Sequence, residues 1–171
     1  MENPATFHEV FLTGLRNDHA MENQALAIMK PQLDRLENCP EMSKILDRHL
    51  RENEDHMQRI ESILQSMDES SSGLKDTVLS MAGSKAALTH SIAPHEILKN
   101  PMGNFAFEHF EIAAYTSLIT AARLCGASSA MNFLEQNLAE ERQMAKGLEQ
   151  MLPMVTERYI TFKASDQKAG V

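Results

Sequence analysis

Residues 107–118 read FEHFEIAAYTSL. Aromatic and aliphatic side chains recur around this stretch at three- and four-residue steps, the stripe of an amphipathic helix. Carried from Phe105 to Tyr115, Leu118, Ala122 and Cys125, the stripe passes through Glu108 and Glu111. Two carboxylates thus stand where the core face of a helix calls for apolar groups. The rest of the sequence decides whether they belong to one helix alone or to a buried site shared by several.

Three more stripes show the same interruption. Phe7, Phe11, Leu15, Leu26, Met29, Leu33 and Leu36 mark a first long helix, and Asp18 and Glu22 fill the gap between Leu15 and Leu26. Thr6 with Glu9 fits a capping box at its start, and Pro31 predicts a kink or the loss of its last turns. After a break at Asn38–Cys39–Pro40, Met42, Ile45, Ile60, Ile63 and Met67 mark a second helix, with His49, Glu52 and His56 in its gap. The run DESSSG, residues 68–73, ends it. The third helix begins near Pro101, well suited to a first turn, and stops at Gly126. Ser128 or Ser129 starts the fourth, whose stripe of Leu134, Leu138, Leu148 and Leu152 brackets Glu141. Pro153 predicts an interruption there, with a last helical piece to about residue 163.

No segment reads as a strand. The expected fold is all-α: a four-helix bundle of two antiparallel hairpins. The short turns force the antiparallel pairing. A connection of roughly thirty residues, carrying minor helices around Leu74–Leu88 and in HEILKN (residues 95–100), crosses the bundle between the hairpins. Residues 1–163 form one domain, and 164–171 (ASDQKAGV) a frayed tail.

The carboxylates also agree in height. At ~1.5 Å of rise per residue, Glu22 and His56 lie ~25 Å above a turn at Cys39, and Glu52 ~20 Å. Measured from Gly126, Glu111 and Glu141 each lie ~22 Å up, with Glu108 one turn higher. Within each hairpin the acids are level to about one turn.

Composition narrows what such a site can be. The 171 residues include 24 acidic and 16 basic ones, a net charge of −8, which argues against a nucleic-acid surface. Cys39 and Cys125 are too few and too far apart for a disulfide or zinc framework. No apolar run approaches a membrane span, and the N-terminus, MENPATFHEV, shows no positively charged region followed by an apolar run, so no signal peptide is expected. The expectation is a cytoplasmic protein bound to neither nucleic acid nor membrane. Bare anions gathered inside a bundle repel and lose hydration, so protons or cations must neutralise them. No Lys lies in the stripes and Arg59 only borders one. Carboxylates with an imidazole suit iron or manganese, and Glu can bridge two such ions between helices.

The segments NDHAMENQA around Glu22, DRHLRENEDHMQRIESIL around Glu52, FEHFEIAAYTSLITAA around Glu108 and Glu111, and LAEERQMAKGL around Glu141 resemble the YciE/YciF family of bacterial ferritin-like stress-response proteins, more closely its YciE branch. The resemblance spans nearly the whole chain. It implies a ferritin-like bundle, a homodimer, and a dinuclear iron site held by Glu22, Glu52, Glu108, Glu111 and Glu141, with His56 as a sixth ligand. The Glu-x-x-His pattern that such proteins carry on two helices is incomplete: His56 follows Glu52 by four, and Met144 stands three residues after Glu141.

Neighbouring residues take plainer roles. His49 reads as a satisfied, semi-buried histidine, Asp18 as a neighbour of the ligands, Tyr115 as a core aromatic within reach of one, and Glu140 as pointing away from the core. His8, His19, His90, His95 and His109 form no metal-spaced set. Two functions remain open: a metal-binding, redox-active bundle with two iron or manganese ions, and a structural or interaction bundle of the same fold without functional metal.

Overall fold

The computed structural model describes residues 4–33, 36, 39–67 and 96–165, and among them it contains helices and no strand. Four long helices follow one another: α1 (Pro4–Leu33), α2 (Pro40–Ser66), α3 (Glu96–Cys125) and α4 (Met131–Ala164), with a 3-10 turn at Ser128–Ala130 before the last. The fold is the expected all-α bundle. None of these helices is long and apolar enough to cross a membrane.

The turns follow from local chemistry. Pro40 occupies the first turn of α2, where a missing N–H leaves nothing unpaired. Gly126 adopts φ 78°, the left-handed conformation that side chains disfavour. The Gly126 N–H bonds to the Arg123 carbonyl and the Ala127 N–H to the Ala122 carbonyl. This paired closure ends α3 and reverses the chain.

Cross-helix contacts fix the directions. Gln32 and Asn104 exchange side-chain hydrogen bonds of 3.2 and 2.9 Å, Glu22 meets Tyr115, and Gly14 faces Leu118. Numbers fall along α1 as they rise along α3, so these helices are antiparallel. α2 and α4 are antiparallel as well, from Glu41–Arg158 at one end to Arg59–Asn137 at the other. With α1 and α2 joined by a short turn, α2 and α3 must run parallel, as a crossover demands.

Several helix ends differ from the sequence reading. α1 begins at Pro4 and includes Thr6, so Thr6 lies inside the helix rather than capping it. Pro31 and Pro153 sit within continuous helices. α3 starts at Glu96 and runs through Pro101, so most of HEILKN belongs to α3 and is no separate piece. Pro31 and Pro101 lie near helix ends, where few backbone bonds are lost and packing on the neighbouring helix outweighs them. The tail at 166–171, the DESSSG run and the predicted minor helix at 74–88 fall outside the described residues.

The core is made of Phe11, Leu15, Met29, Leu46, Ile60, Leu64, Tyr115, Leu134, Met144 and Leu148 with smaller neighbours, all buried. Met and Ala fill the spaces between helices, with no Trp. This apolar frame surrounds a polar middle layer.

Candidate metal centre

That layer is fully enclosed. Glu22, His49, Asn53, His56, Glu108, Glu111, Asn137 and Glu141 all have zero exposure. Ligand-type atoms of His49, Glu108, Glu111 and Glu141 converge within 4.8 Å of one another, and so do those of Glu22, His56 and Glu141. Glu141 belongs to both groups. The result is two adjoining pockets that draw on all four helices.

Distances inside the pockets carry chemical information. His49 Nε2 lies 3.1 Å from Glu108 Oε2 and 3.8 Å from Glu141 Oε2. His56 Nδ1 lies 3.0 Å from Glu141 Oε1 and 3.1 Å from Glu22 Oε1. Yet both oxygens of Glu108, Glu111 and Glu141, and Glu22 Oε2, have no hydrogen-bond partner, and neither has His49 Nε2. Apart from the hydrogen bond between His56 Nδ1 and Glu22 Oε1, the atoms are close without pointing along hydrogen bonds to one another. Two ligands at ~2.1 Å from one ion and at right angles to each other stand ~3 Å apart, so these separations are those of groups aimed at a common point.

Each histidine is held from behind by an acid. His49 Nδ1 lies 3.3 Å from Glu52 Oε2. His56 Nε2 lies 2.8 Å from Glu140 Oε2, which also accepts from Arg59. The outer carboxylate fixes the ring and turns its other nitrogen inward. A closed ring of contacts runs through the second pocket. Arg59 donates to Asn137 Oδ1 at 2.8 Å, Asn137 Nδ2 to the Tyr115 hydroxyl at 3.0 Å, and Tyr115 to Glu22 Oε1. Glu22 meets His56, and His56 meets Glu140 beside Arg59.

Electrostatics matches this crowding. Burial pushes Glu141 up to about 7, with Glu108 adding to the rise and His56 and His49 opposing it. Burial raises Glu22, and raises Glu111 well above the carboxylate range, the latter aided by Glu141, Glu22 and Glu108. Asp18, buried one turn before Glu22, is pushed up to about 8 by burial and by Glu22. Burial disfavours charge on the imidazoles, but the carboxylates around them win. Glu108 and Glu52 lead in lifting His49 to about 10, and Glu22 and Glu140 in lifting His56 to about 11. Without a cation the cluster holds protons. With one, those protons must leave.

Five of the six residues singled out from sequence, Glu22, His56, Glu108, Glu111 and Glu141, converge here. Glu52 does not. Its side chain is 20 % exposed and contacts His49 and Arg48. The reason is a choice of register: both 49–52–56 and 49–53–56 obey three-four spacing, and α2 turns the second set inward. His49, read as a merely satisfied histidine, replaces Glu52 in the pocket. It also supplies the second imidazole that α4 lacks, where Met144 is buried. Glu140 does not point away from the core but grips His56. A signal for His49 was present: it is seven residues, two helical turns, before His56 on one face.

Likeness to known proteins agrees with this architecture. The crystal structure of the protein XCC3681 from Xanthomonas campestris matches with a TM-score of 0.77 at 23 % identity, covering 93 % of this chain and 99 % of that one. The E. coli stress protein YciF matches with a TM-score of 0.74 at 23 % identity, over 92 % of this chain and 99 % of that one. YcfI from Rhodopseudomonas palustris matches with a TM-score of 0.67 at 23 % identity, over 84 % and 92 %. These likenesses show a shared fold and do not separate the YciE branch from the YciF branch. The family described as "Domain of unknown function (DUF892)" matches residues 6–161, and the chain belongs to it.

Proposed function

We propose that the protein is a ferritin-like metal-binding protein with a dinuclear iron or manganese centre. The observation that carries this reading is the set of seven buried carboxylate oxygens without hydrogen-bond partners, arranged in two groups that share Glu141. Nothing but cations or protons stabilises such a set. Four carboxylates, Glu22, Glu108, Glu111 and Glu141, balance the charge of two divalent ions, and His49 and His56 add one neutral donor to each pocket. Oxygen and imidazole donors together suit iron and manganese.

When bound, two such ions side by side supply redox chemistry toward dioxygen or peroxide. The chain's own residues do the rest. Glu141 holds the pockets together. Glu52 and Glu140 orient the imidazoles. Tyr115 and Asn137 hold Glu22 in place. The apolar frame excludes bulk water. By analogy with the stress protein YciF and the family resemblance, the reading extends to a homodimer acting in the cytoplasm under oxidative or general stress.

A structural bundle without functional metal is the competing reading. The pairing of His49 with Glu108 and of His56 with Glu22, each at 3.1 Å, favours it, because two imidazolium ions offset two carboxylates. Anaerobic loading with Fe(II) or Mn(II) followed by elemental analysis separates the two. About two ions per chain, with a raised thermal midpoint, is expected of a dinuclear bundle. No uptake and no thermal response would leave only the structural bundle.

A further inference from the structure

Asn53 is the one side chain of the polar layer outside the two ligand groups that has no hydrogen-bond partner at either end. It is fully buried, and neither Oδ1 nor Nδ2 makes a hydrogen bond. It stands on the inward face of α2, four residues after His49 and three before His56. Those histidines face one pocket each, so Asn53 stands between the two pockets along the helix. An apolar residue of equal size would fit such a position without loss, whereas a buried amide left unpaired is destabilising.

Neither ligand group fills a coordination shell by itself. The one built from Glu22, His56 and Glu141 offers three residues, and the other four. Iron and manganese accept more ligands than three, commonly in octahedral sets. Among the residues lining these pockets the carboxylates only accept hydrogen bonds, and each imidazole has its outer nitrogen held by an acid. The Asn53 amide is thus the group left to donate to a non-protein ligand placed between the pockets.

Resting on the dinuclear reading, we propose that Asn53 is the hydrogen-bonding arm for a small exogenous anion of two or three heavy atoms, azide- or peroxide-sized, seated against the metal pair. Nδ2–H donates to the anion, and Oδ1 accepts from it when it carries a proton. Asn53 is a positioning residue here and does not ligate the metal.

The test uses the full-length protein loaded with Co(II), with azide as the probe and the visible Co(II) absorption as the readout. Asn53→Leu and Asn53→Ala are compared with wild type. The expected result is an unchanged metal content with azide affinity lowered about 10- to 100-fold, the effect of one hydrogen bond to a charged group. Unchanged azide affinity in metal-replete variants overturns the proposal and leaves the dinuclear reading intact. Lost cobalt in the variants also overturns it, by making Asn53 a ligand. Wild-type protein that takes up no cobalt removes the dinuclear reading and the proposal together. Should both variants fail to fold, the Zn(II)-loaded wild type suffices: the Asn53 side-chain amide protons must shift in NMR spectra on adding azide, and an unmoved signal overturns the proposal.

Discussion

His49 and His56 stand two turns apart on α2 and present opposite nitrogens to the centre: Nε2 from His49 and Nδ1 from His56. The nitrogen left over is gripped by Glu52 in one case and by Glu140 in the other. One helix therefore serves both pockets, each with its own orienting acid. Glu52→Gln and Glu140→Gln should each weaken metal binding roughly 10- to 100-fold, since outer carboxylates contribute that much to histidine ligation. Competition titration with a chromophoric chelator measures it, and loss confined to one of two binding steps is expected for each variant.

Glu141 is common to both ligand groups. Glu141→Ala should therefore bring metal content from about two ions per chain to well below one. Glu22→Ala, which touches only one group, should leave about one. Elemental analysis of the two variants, purified side by side, reads the difference. Equal losses would show that the pockets do not share a bridge.

Metal-free protein should lose stability as pH rises. Asp18 (about 8), Glu141 (about 7), His49 (about 10) and His56 (about 11) all have folded values above their ordinary ones. The folded state thus holds more protons than the unfolded one, and this contribution is lost as pH climbs through those values. The window runs from about pH 4 to 11. Glu140, held down to about 2 by His56, Arg59 and Gln136 against the effect of burial, acts oppositely and loses its contribution only as pH falls below the ordinary carboxylate range. Thermal midpoints measured from pH 5 to 10 should fall steadily in chelator and stay nearly level with Mn(II). A rise with pH in chelator would contradict the proton-held cluster.

Tyr115→Phe keeps the ring packed but removes the hydroxyl that links Asn137 to Glu22. Both partners are fully buried, so the variant should lose about 1–3 kcal/mol of metal-free stability. Urea denaturation in chelator checks the value. A loss below about 0.5 kcal/mol would mean the ring of hydrogen bonds contributes little to holding Glu22.

Gly14 is the close-approach position between α1 and α3. A Cβ there would come within 2.7 Å of Leu118 Cδ1. Gly14→Val should destabilise by about 1–3 kcal/mol through overpacking. Leu118→Ala in the same chain should relieve part of it, a coupling that a double-mutant cycle reads directly.

The four helices and the buried acids were legible because both rest on periodicity. Glu108, Glu111 and Glu141 sit where a three-four stripe has to continue, and hydrophobic patterning resolves that without ambiguity. The choice between Glu52 and Asn53 was not legible, since positions 52 and 53 both satisfy the spacing from 49 to 56, and only packing against α1 and α4 turns α2 one way. His49 was passed over for a related reason: its value as a ligand depends on Glu108 and Glu141, both more than fifty residues away in sequence. Pro31 and Pro153 read locally as breaks, but tertiary contacts on either side hold the helices through them.

Glu141 has one further implication. The first hairpin alone brings Glu22, His49 and His56, and the second brings Glu108, Glu111 and Glu141. Neither half can assemble a complete pocket, because each ligand group mixes residues of both. Bound ions would therefore act as a clasp between the hairpins rather than as a brace within either one. Their removal should first loosen the seam where α1 meets α3 and α2 meets α4, leaving each hairpin folded, and hydrogen exchange along that seam becomes a gauge of whether the clasp is shut.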